Sequence, residues 1–372
     1  IDMNDRSLRS TSVGLEGRGV NGVRREDGIE ITAASEIMAG WGLSHDLREL
    51  KARMAAIIVG YDSFGKPVRA GDIGVAGAMA ALMKNAMQPN LVQTLEGVPA
   101  LVHGGPFANI AHGCNTIAAT KLARKLADYT ITEAGFGADL GAEKFFHIKC
   151  RIGRMAPDAV VLVVTRRAFS LHGLDNVARH LKNLRRFGVP VVISINRFAD
   201  DDEGKLREIL AACRSLGAPA EITDYRESGG EGGLELAQLV LDACEQPTRY
   251  APLYPLEMPI EEKVSYLAET LYGAEGVDFS TDAERAIKQI TNLGYGELPV
   301  CVAKTPNSFS DNPKLAGAPT GYRLNVSNAR VSAGAGFVVI YTGKIMTMPG
   351  LPRRPAALDI DVDAGGRIDG LF

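Results

Sequence analysis

Short runs of β-branched and other apolar residues alternate with helical patterns along most of this chain, and this alternation constrains its fold more than any other feature. The runs at Pro99–His103, Tyr129–Thr132, Val160–Thr165 and Val189–Ile195 predict buried strands. Each run is almost continuously apolar, as expected of parallel strands that are covered on both faces. The alternation therefore predicts a parallel α/β architecture.

Helices between and around these runs are predicted from apolar residues spaced three and four apart. Asp72 and Thr281 are the expected N-caps of two of them, the second as the start of the capping box Thr281-Asp282-Ala283-Glu284. Beyond Gly294 the pattern changes to a strand at Leu298–Lys304 and then to segments that predict β-hairpins. Those segments are Tyr322–Val326, Phe337–Thr342 and Leu358–Val362, the last turning at Asp363–Gly366.

These changes of pattern divide the chain into three predicted domains. A length of 372 residues fits two or three domains of ordinary size. We expect an α/β domain at residues 1–172, a second α/β domain at 173–296 and a smaller β-rich domain at 297–372.

The charge balance and the cysteines narrow the class of protein. With 41 basic against 44 acidic residues, the net charge of -3 gives no electrostatic footprint for nucleic acid or an anionic membrane. No apolar run approaches the roughly 18 residues of a membrane span. The 5 cysteines are scattered without a CxxC pair, which favours reduced thiols over disulfides or a zinc site. We therefore expect a cytoplasmic enzyme that acts on small molecules.

The most unusual stretch is Glu96–Asn115, in which a predicted strand opens into Gly104-Gly105-Pro106-Phe107. Ligands of parallel sheets bind beyond the carboxyl ends of the strands, and free backbone amides at a following helix start suit a nucleotide or another anion. The alternative is a tight turn in which Asn109 is a cap and His112 belongs to the core.

Two further glycine-rich stretches could contribute to a site. Thr132–Phe146 carries Glu133, Asp139 and Glu143, which could hold magnesium or a ligand amine, or could lie in a solvated loop. Ser332–Phe337 has small residues that permit either close approach of a flat ligand, such as adenine, or close chain packing. Pattern alone leaves both alternatives open at each stretch.

General motifs for phosphate, metal and nucleophile sites are absent from the sequence. It contains no G-x-x-x-x-G-K-[ST], no G-x-G-x-x-G after a predicted strand, no HExxH and no GxSxG. Cys114 near His112 suggests a thiol nucleophile, but a small buried cysteine without an assigned base is the better interpretation. These general patterns indicate a multidomain α/β enzyme and nothing narrower.

Longer motifs give the chain a specific resemblance. They are Asp2-Met3-Asn4-Asp5-Arg6, Ala34-Ser35-Glu36-Ile37-Met38-Ala39, Gln88–Gly97, Gly104–Asn115, Thr132–Phe146, Ser332–Phe337, Met346–Pro352 and Ile368–Phe372. With these motifs in this order, the chain resembles the formate–tetrahydrofolate ligase (10-formyltetrahydrofolate synthetase) family over nearly its whole length.

The resemblance implies an activity and its cofactors. The family joins formate to N10 of tetrahydrofolate with cleavage of ATP to ADP and phosphate. Formate attacks the γ-phosphate to give formyl phosphate, which the folate amine then attacks. ATP with Mg²⁺, a monovalent cation (K⁺ or NH₄⁺) and a homotetramer are implied as well. So is a P-loop-NTPase-like nucleotide domain, of which residues 1–172 would be an incomplete part. No nucleic acid or membrane partner is expected.

The resemblance also implies site residues. One loop at the adenine end of the nucleotide would supply Pro106, Phe107, Ala108, Asn109 and His112. The other would supply Ser332, Ala333, Gly334, Ala335 and Gly336. Phe198 would form one wall of the folate site, and the second wall falls on Tyr225 or Arg226, where the family has a tryptophan. No catalytic residue or metal ligand is assigned, because the family's P-loop lysine has no counterpart here.

The sequence departs from the family pattern at three places. The P-loop is missing, so we expect this chain to be part of a longer polypeptide and to be inactive alone. A family lysine is replaced by Ser170, and a loop is absent where Gly173 passes directly to Leu174. Arg226 stands in place of the tryptophan. The alternative function is therefore a non-catalytic paralogue that binds a pterin or a partner subunit without ATP hydrolysis.

Overall fold

The computed structural model describes residues 5–343, 345 and 353–370. Its strands are β1 (Thr11–Val13), β2 (Arg25–Asp27), β3 (Ile58–Tyr61), β4 (Pro67–Arg69), β5 (Asn90–Gln93), β6 (Pro99–Val102), β7 (Val160–Thr165), β8 (Val191–Asn196), β9 (Ala220–Thr223), β10 (Gly276–Phe279), β11 (Val300–Ala303), β12 (Arg323–Ser332), β13 (Phe337–Thr342), β14 (Asp361–Val362) and β15 (Ile368–Asp369). Its α-helices are α1 (Glu36–Gly42), α2 (Leu47–Ala56), α3 (Ala76–Leu82), α4 (Ile117–Leu126), α5 (Gly141–Lys144), α6 (Arg151–Gly153), α7 (Arg166–Arg186), α8 (Glu203–Ser215), α9 (Tyr225–Ser228), α10 (Leu234–Cys244), α11 (Ile260–Leu267) and α12 (Thr281–Asn292). The motif residues Asp2–Asn4, Met346–Pro352 and Leu371–Phe372 lie outside the described residues.

The strands β7, β8 and β9 form a parallel sheet in that order. The central strand β8 is buried at every position except its last, Asn196, which is half-buried. The crossover helix α7 buries the apolar residues Val177, Leu181 and Leu184, which are spaced four and three apart on one face. Parallel strands joined by helices confirm the predicted mixed α/β class.

A second sheet has four strands in the order β10-β12-β13-β11 and is mixed. The long strands β12 and β13 form an antiparallel hairpin, in which Ser332 pairs with Phe337 beside the turn. The outer strands β10 and β11 each run parallel to their neighbour. Strand β10 precedes the predicted boundary at residue 296 and the other three follow it, so this sheet draws on both sides of that boundary.

Two of the predicted buried strands differ in the structure. Pro99–Val102 is a strand, but it pairs antiparallel with β5 in a hairpin whose residues are exposed or half-buried. Tyr129–Thr132 forms no strand, and Ile131 is 95% exposed. Both predictions relied on continuous apolar runs, which do not reveal whether a partner strand lies alongside.

Both predicted N-caps are wrong. Ser280, not Thr281, caps α12, because its hydroxyl accepts the N–H of Ala283 at 3.1 Å. Asp72 accepts the N–H of Arg69 at 2.8 Å in a turn, and α3 begins only after Val75. Short polar side chains satisfy turns as readily as helix starts, so spacing alone misplaced both caps.

Helix α7 is broken at Gly173. The φ of 75° and ψ of 179° at this residue are non-helical, so two helical segments meet there. A Cβ at Gly173 would meet nothing within 4 Å, and it is therefore the positive φ that favours glycine. The break lies at the place where the resemblance implies a loop that is absent from this sequence.

The described residues fall into two units by their contacts, 5–32 with 353–370 and 33–343 with 345. The first unit contains two short antiparallel hairpins, β1–β2 and β14–β15. The second contains both larger sheets. None of the described helices combines the length and the apolar character that crossing a bilayer requires.

Candidate functional site

The glycine-rich loops that the sequence analysis singled out separately form the two walls of one cleft. The cleft has a volume of about 240 Å³. Its first wall consists of Gly104–Ala108 and Gly113–Asn115, and its second consists of Glu133, Gly135 and Phe136.

Close backbone contacts join the two walls at their base. The amide of Gly135 donates to the carbonyl oxygen of Gly113 at 2.9 Å, and a Cβ on Gly113 would come within 2.1 Å of the Cβ of Ala108. Phe136 has a φ of 62°, which is unusual for a residue other than glycine, and it is 58% exposed. One backbone hydrogen bond thus joins the two walls, and the second wall carries an exposed phenyl ring.

Two buried lysines hold the first wall from behind. Lys144 and Lys149 are both 0% exposed. Lys144 donates to the carbonyl oxygen of Ala108, and Lys149 donates to Oδ1 of Asn115 at 2.5 Å. A buried ammonium group is costly unless it is hydrogen-bonded, so losing either contact would be strongly unfavourable. The positions of Ala108 and Asn115 are thus fixed by charges that water does not reach.

A buried ion pair holds the second wall. Lys304, just after β11, pairs with Asp139 and also donates to the carbonyl oxygen of Ser308 at 2.5 Å. Burial alone would raise the pKa of Asp139. The Lys304 ammonium and then His180 together have the larger effect in the opposite direction, so the pKa lies below its ordinary value. Asp139 is 6% exposed, which contradicts the alternative that it lies in a solvated loop.

The other two acidic candidates differ from each other. Glu143 is 1% exposed, and its Oε1 lies 2.8 Å from Nδ1 of His147. Glu133 is exposed on the cleft wall. Within residues 5–343, 345 and 353–370, no three His, Cys, Asp or Glu side chains converge where they could hold a metal ion.

Asn115 is oriented by three hydrogen-bond donors, a role that the sequence analysis missed. Its Oδ1 accepts from Nζ of Lys149 at 2.5 Å, from Oγ1 of Thr132 at 2.8 Å and from Oγ1 of Thr120 at 3.2 Å. An ammonium group can only donate, so the amide oxygen must face it. The amide nitrogen of Asn115 is thereby turned toward the cleft.

His112, a predicted nucleotide residue, is buried in the core. It is 0% exposed, and neither ring nitrogen has a hydrogen-bond partner among the described residues. Burial, followed by the charges of Lys149 and Arg53, lowers its pKa to about 3, so the ring is neutral. A Cβ on Gly42 would lie 2.8 Å from its Nε2, so α1 packs directly on the ring. The residues predicted with it lie in the same loop: Pro106, Phe107 and Ala108 on the cleft wall, and Asn109 half-buried beside them.

The second predicted nucleotide loop, Ser332–Gly336, packs against α1 and α2. Glu36 of α1 accepts the N–H of Gly334 at 2.6 Å, and Arg53 of α2 donates to the carbonyl oxygen of Ala335 at 2.9 Å. A Cβ on Gly334 would lie 2.5 Å from the carbonyl oxygen of Arg53. The small residues thus allow close chain packing, and helix α1 contacts both loops that were predicted to flank adenine.

The three predicted folate residues lie at one edge of the parallel sheet. Phe198 follows β8, and Tyr225 and Arg226 begin α9 just after the neighbouring strand β9. The guanidinium of Arg167, which follows β7, lies 5.9 Å from the centre of the Phe198 ring. Ligands of parallel sheets bind beyond this carboxyl edge, so the topology brings these residues to a suitable place.

Tyr225 and Arg226 are held differently. A Cβ on Gly233 would lie 2.4 Å from Cε1 of Tyr225, so the phenol ring packs against the backbone there. Arg226 makes no hydrogen bond or ion pair in the described part of the chain. Gly230 lies between these two residues and Gly233 in the sequence. Its amide donates to Oε1 of Glu96 at 2.7 Å, a contact that the sequence analysis did not predict.

Cys114 is a core thiol. It is 4% exposed, and its Sγ donates to the carbonyl oxygen of His112 at 2.9 Å. Burial raises its pKa to about 12, so the reactive thiolate is scarce at neutral pH. The structure therefore supports the buried-cysteine interpretation over the nucleophile.

Comparison with known proteins identifies the same family over the whole length of the chain. The family model described as formate–tetrahydrofolate ligase matches residues 1–174 and 171–372. A curated relative from Symbiobacterium thermophilum, named formate–tetrahydrofolate ligase, is 53% identical over 391 residues, which cover 100% of this chain and 70% of the relative. The two family matches meet at residues 171–174, where α7 is broken at Gly173.

Proposed function

Because the chain belongs to the formate–tetrahydrofolate ligase family, we propose that it joins formate to tetrahydrofolate with cleavage of ATP. The observation that carries this proposal is the family match, which takes in residues 1–174 and 171–372. An oxygen of formate bonds to the γ-phosphorus as ADP leaves. N10 of the folate then bonds to the formyl carbon and loses its proton as phosphate leaves, giving 10-formyltetrahydrofolate.

In this proposal the cleft and the adjoining loop take the nucleotide. Gly104 and Gly105 are exposed and line the cleft, so a ligand can approach the backbone closely there. The loop Ser332–Gly336 meets the same helix, α1, that packs on His112, so the two adenine-flanking loops share one support. Buried lysines behind the walls keep this surface in shape before any ligand binds, which reduces the entropy lost on binding.

The folate would bind at the carboxyl edge of the parallel sheet. The ring of Phe198 would contact one face of the pterin. The guanidinium of Arg226, which has no partner among the described residues, would contact the opposite face of the pterin. A cation over an aromatic face contributes about 0.5–1 kcal/mol at an exposed site. Tyr225 packs against Gly233, which makes Arg226 the better candidate for the second wall.

We propose that Mg²⁺ arrives with ATP. Mg²⁺ keeps several waters and is bound mainly by phosphates and one or two carboxylates. Asp139 and Glu143 are already engaged by Lys304 and His147, and the described residues do not bring three ligand side chains together. They therefore do not fit a protein-only magnesium cage. A requirement for K⁺ or NH₄⁺ is proposed on the ground of the family alone.

We further propose a homotetramer in the cytoplasm, with a nucleotide domain of P-loop-NTPase-like architecture. Strand β7, within residues 1–172, runs parallel to β8 and is joined to it by helix α7, which supports a parallel-sheet architecture. The cysteines of the described chain are all free thiols, which supports a reducing compartment. The tetramer is proposed from the family resemblance.

The test uses protein expressed from the complete reading frame, incubated with ATP, Mg²⁺, formate and tetrahydrofolate. We expect ADP release that requires both formate and tetrahydrofolate, with 10-formyltetrahydrofolate formed in equal amount. ADP release that ignores the folate would overturn the proposal. Pterin binding without any ADP release would favour the non-catalytic paralogue instead.

A pair of phenylalanine variants tests the folate end. Phe198→Ala should raise KM for tetrahydrofolate and leave KM for ATP unchanged. Phe64→Ala is the matched control, because Phe64 is 94% exposed and lies far from Phe198 in the sequence. Equal kinetics in the two variants would count against Phe198 as a wall of the site.

A further inference from the structure

The amide of Asn115 offers a fixed hydrogen-bond donor to the cleft. Three donors converge on its Oδ1, and one of them is the ammonium of Lys149 at 2.5 Å. Turning the amide over would place its NH₂ group against that ammonium and against two hydroxyls, so the orientation is dictated by chemistry. The NH₂ group has no hydrogen-bond partner in the described chain, and Asn115 lines the cleft.

The opposite wall offers an acceptor. The carboxylate of Glu133 is exposed on the second wall and makes no hydrogen bond or ion pair among the residues that the structure describes. A negative charge on the wall disfavours a phosphate or another anion at this point, because like charges repel in a confined site. The ligand group that suits both walls is uncharged and carries a donor next to an acceptor.

The remaining lining is suited to a flat ring. Phe107 on the first wall and Phe136 on the second supply phenyl rings, and glycines elsewhere allow close approach. Apolar and aromatic walls with a few fixed polar groups are typical of sites for small organic ligands. A cleft of about 240 Å³ suits a fused bicyclic ring better than a larger cofactor.

We propose that Asn115 and Glu133 recognise the polar edge of a fused nitrogen heterocycle in this cleft, with Asn115 donating to a ring acceptor and Glu133 accepting from a ring amine. Lys149 is the positioning residue that holds Asn115 in this orientation. The proposal rests on the proposed function, which places the nucleotide in this cleft and so makes adenine the expected ring; a pterin bound here would contradict the folate site proposed at the edge of the sheet. Adenine presents its amino group beside ring nitrogens, and the pterin presents its amino group and N–H beside a carbonyl oxygen.

The test is direct binding of ATP and of tetrahydrofolate, measured by calorimetry on protein from the complete reading frame. Asn115→Asp keeps an oxygen for Lys149 and both threonines but removes the NH₂ group. Glu133→Gln keeps the shape of the side chain and removes the charge. Each should raise Kd for one of the two ligands by roughly 10- to 100-fold. Asn292→Asp, at the exposed end of α12, is the matched control.

The pattern of loss identifies the ring. A loss confined to ATP, with a smaller preference for ATP over inosine triphosphate in Glu133→Gln, identifies adenine. A loss confined to tetrahydrofolate identifies the pterin. Unchanged Kd values for both ligands, or an equal loss of both together with a lower Tm, would overturn the proposal. The binding measurement does not require turnover. It can therefore test the roles of Asn115 and Glu133 even if the protein proves to have no ligase activity.

The positioning role of Lys149 has its own readout. Lys149→Met removes the ammonium that orients the amide, so it should raise Kd for the same ligand as Asn115→Asp does. Lys149→Arg keeps a buried donor and should restore part of the affinity. If Lys149→Met lowers Tm while leaving the affinity of the folded protein intact, the lysine has only a structural role.

Discussion

The carboxylate of Glu96 accepts the backbone N–H of Gly230 at 2.7 Å, although the two residues are 134 positions apart in the chain. A Cβ on Gly229 would lie 2.2 Å from the same carboxylate oxygen, so the contact requires glycine beside it. The contact ties the turn of the β5–β6 hairpin to the segment that carries Tyr225 and Arg226. The proposed folate end of the site therefore depends on a residue that is remote in sequence.

Replacing Glu96 should loosen that segment. In Glu96→Ala the Gly230 amide loses its acceptor, and we expect tetrahydrofolate to bind roughly 3- to 10-fold more weakly. Amide hydrogen exchange at residues 225–233 should also become faster. In Glu96→Gln, which keeps an acceptor oxygen, the exchange rate and the affinity should lie between those of the wild type and those of Glu96→Ala. Glu231→Ala, an exposed side chain in the same segment, is the control. Exchange and affinity equal to the control would show that the contact has no such role.

The buried pair of Lys304 and Asp139 should make a large contribution to stability. Lys304→Met leaves the Asp139 carboxylate buried without its partner, which should lower the free energy of unfolding by about 3–5 kcal/mol. The double variant Lys304→Met, Asp139→Asn removes the stranded charge and should recover part of that loss. Urea unfolding can be followed by the fluorescence of Trp41, because the chain has 1 tryptophan. Strictly additive effects of the two substitutions would contradict a direct pairing.

His112 should make the protein less stable in mild acid. Its pKa is lowered from 6.5 to about 3 by burial and then by Lys149 and Arg53. Between these two pH values the unfolded chain binds a proton on this ring and the folded chain does not. The free energy of unfolding therefore falls as the pH falls, by about 2 kcal/mol from pH 6.5 to pH 5 for this residue.

The variant His112→Gln isolates this contribution. Its stability should depend less steeply on pH than that of the wild type over the same interval, whatever its stability at neutral pH. His45→Gln, which changes an exposed histidine, serves as the control. A wild-type slope in His112→Gln would mean that His112 is protonated in the folded protein.

The turn at Gly334 should not tolerate a side chain. A Cβ there would lie 2.5 Å from the carbonyl oxygen of Arg53 and 2.6 Å from Cγ1 of Ile57. We expect Gly334→Ala to lower the free energy of unfolding by about 1–3 kcal/mol. Gly77→Ala is the matched control, because a Cβ at Gly77 in α3 would meet nothing within 4 Å, and alanine favours a helix. A neutral Gly334→Ala would mean that the turn can move away from α2.

The fold could be predicted where neighbouring strands follow one another in the chain. The runs that became β7 and β8 have a helix between them and pair directly, so their apolar pattern was sufficient. Tyr129–Thr132 has an apolar pattern as well, but no strand lies beside it in the described structure. The hairpin of β5 and β6 was missed because Asn90–Gln93 was interpreted only as part of a motif.

The sequence indicated the loops that line the cleft, but it did not indicate the contacts that hold those loops in place. The glycine-rich loops marked both walls of the cleft, although one follows an antiparallel hairpin and the other follows no strand, so the parallel-sheet reason for choosing them was wrong. The buried lysines carried no such signal, since a lysine in a helical pattern normally faces solvent. Lys144 and Lys149 are buried because Ala108 and Asn115, from another segment, supply their acceptors. Pairings across such distances are set by the tertiary fold.

The break at Gly173 has a consequence for where this chain could accept additional residues. The two helical segments of α7 meet there at a residue with non-helical dihedral angles, and a Cβ on it would meet no neighbour within 4 Å. We expect added residues at this junction to leave the register between β7 and β8 unchanged, provided that the contacts of His172 and Asn176 with Gly317 are kept. The junction is thus a natural insertion point, where a reporter domain or a new recognition loop could be grafted above the carboxyl edge of the sheet.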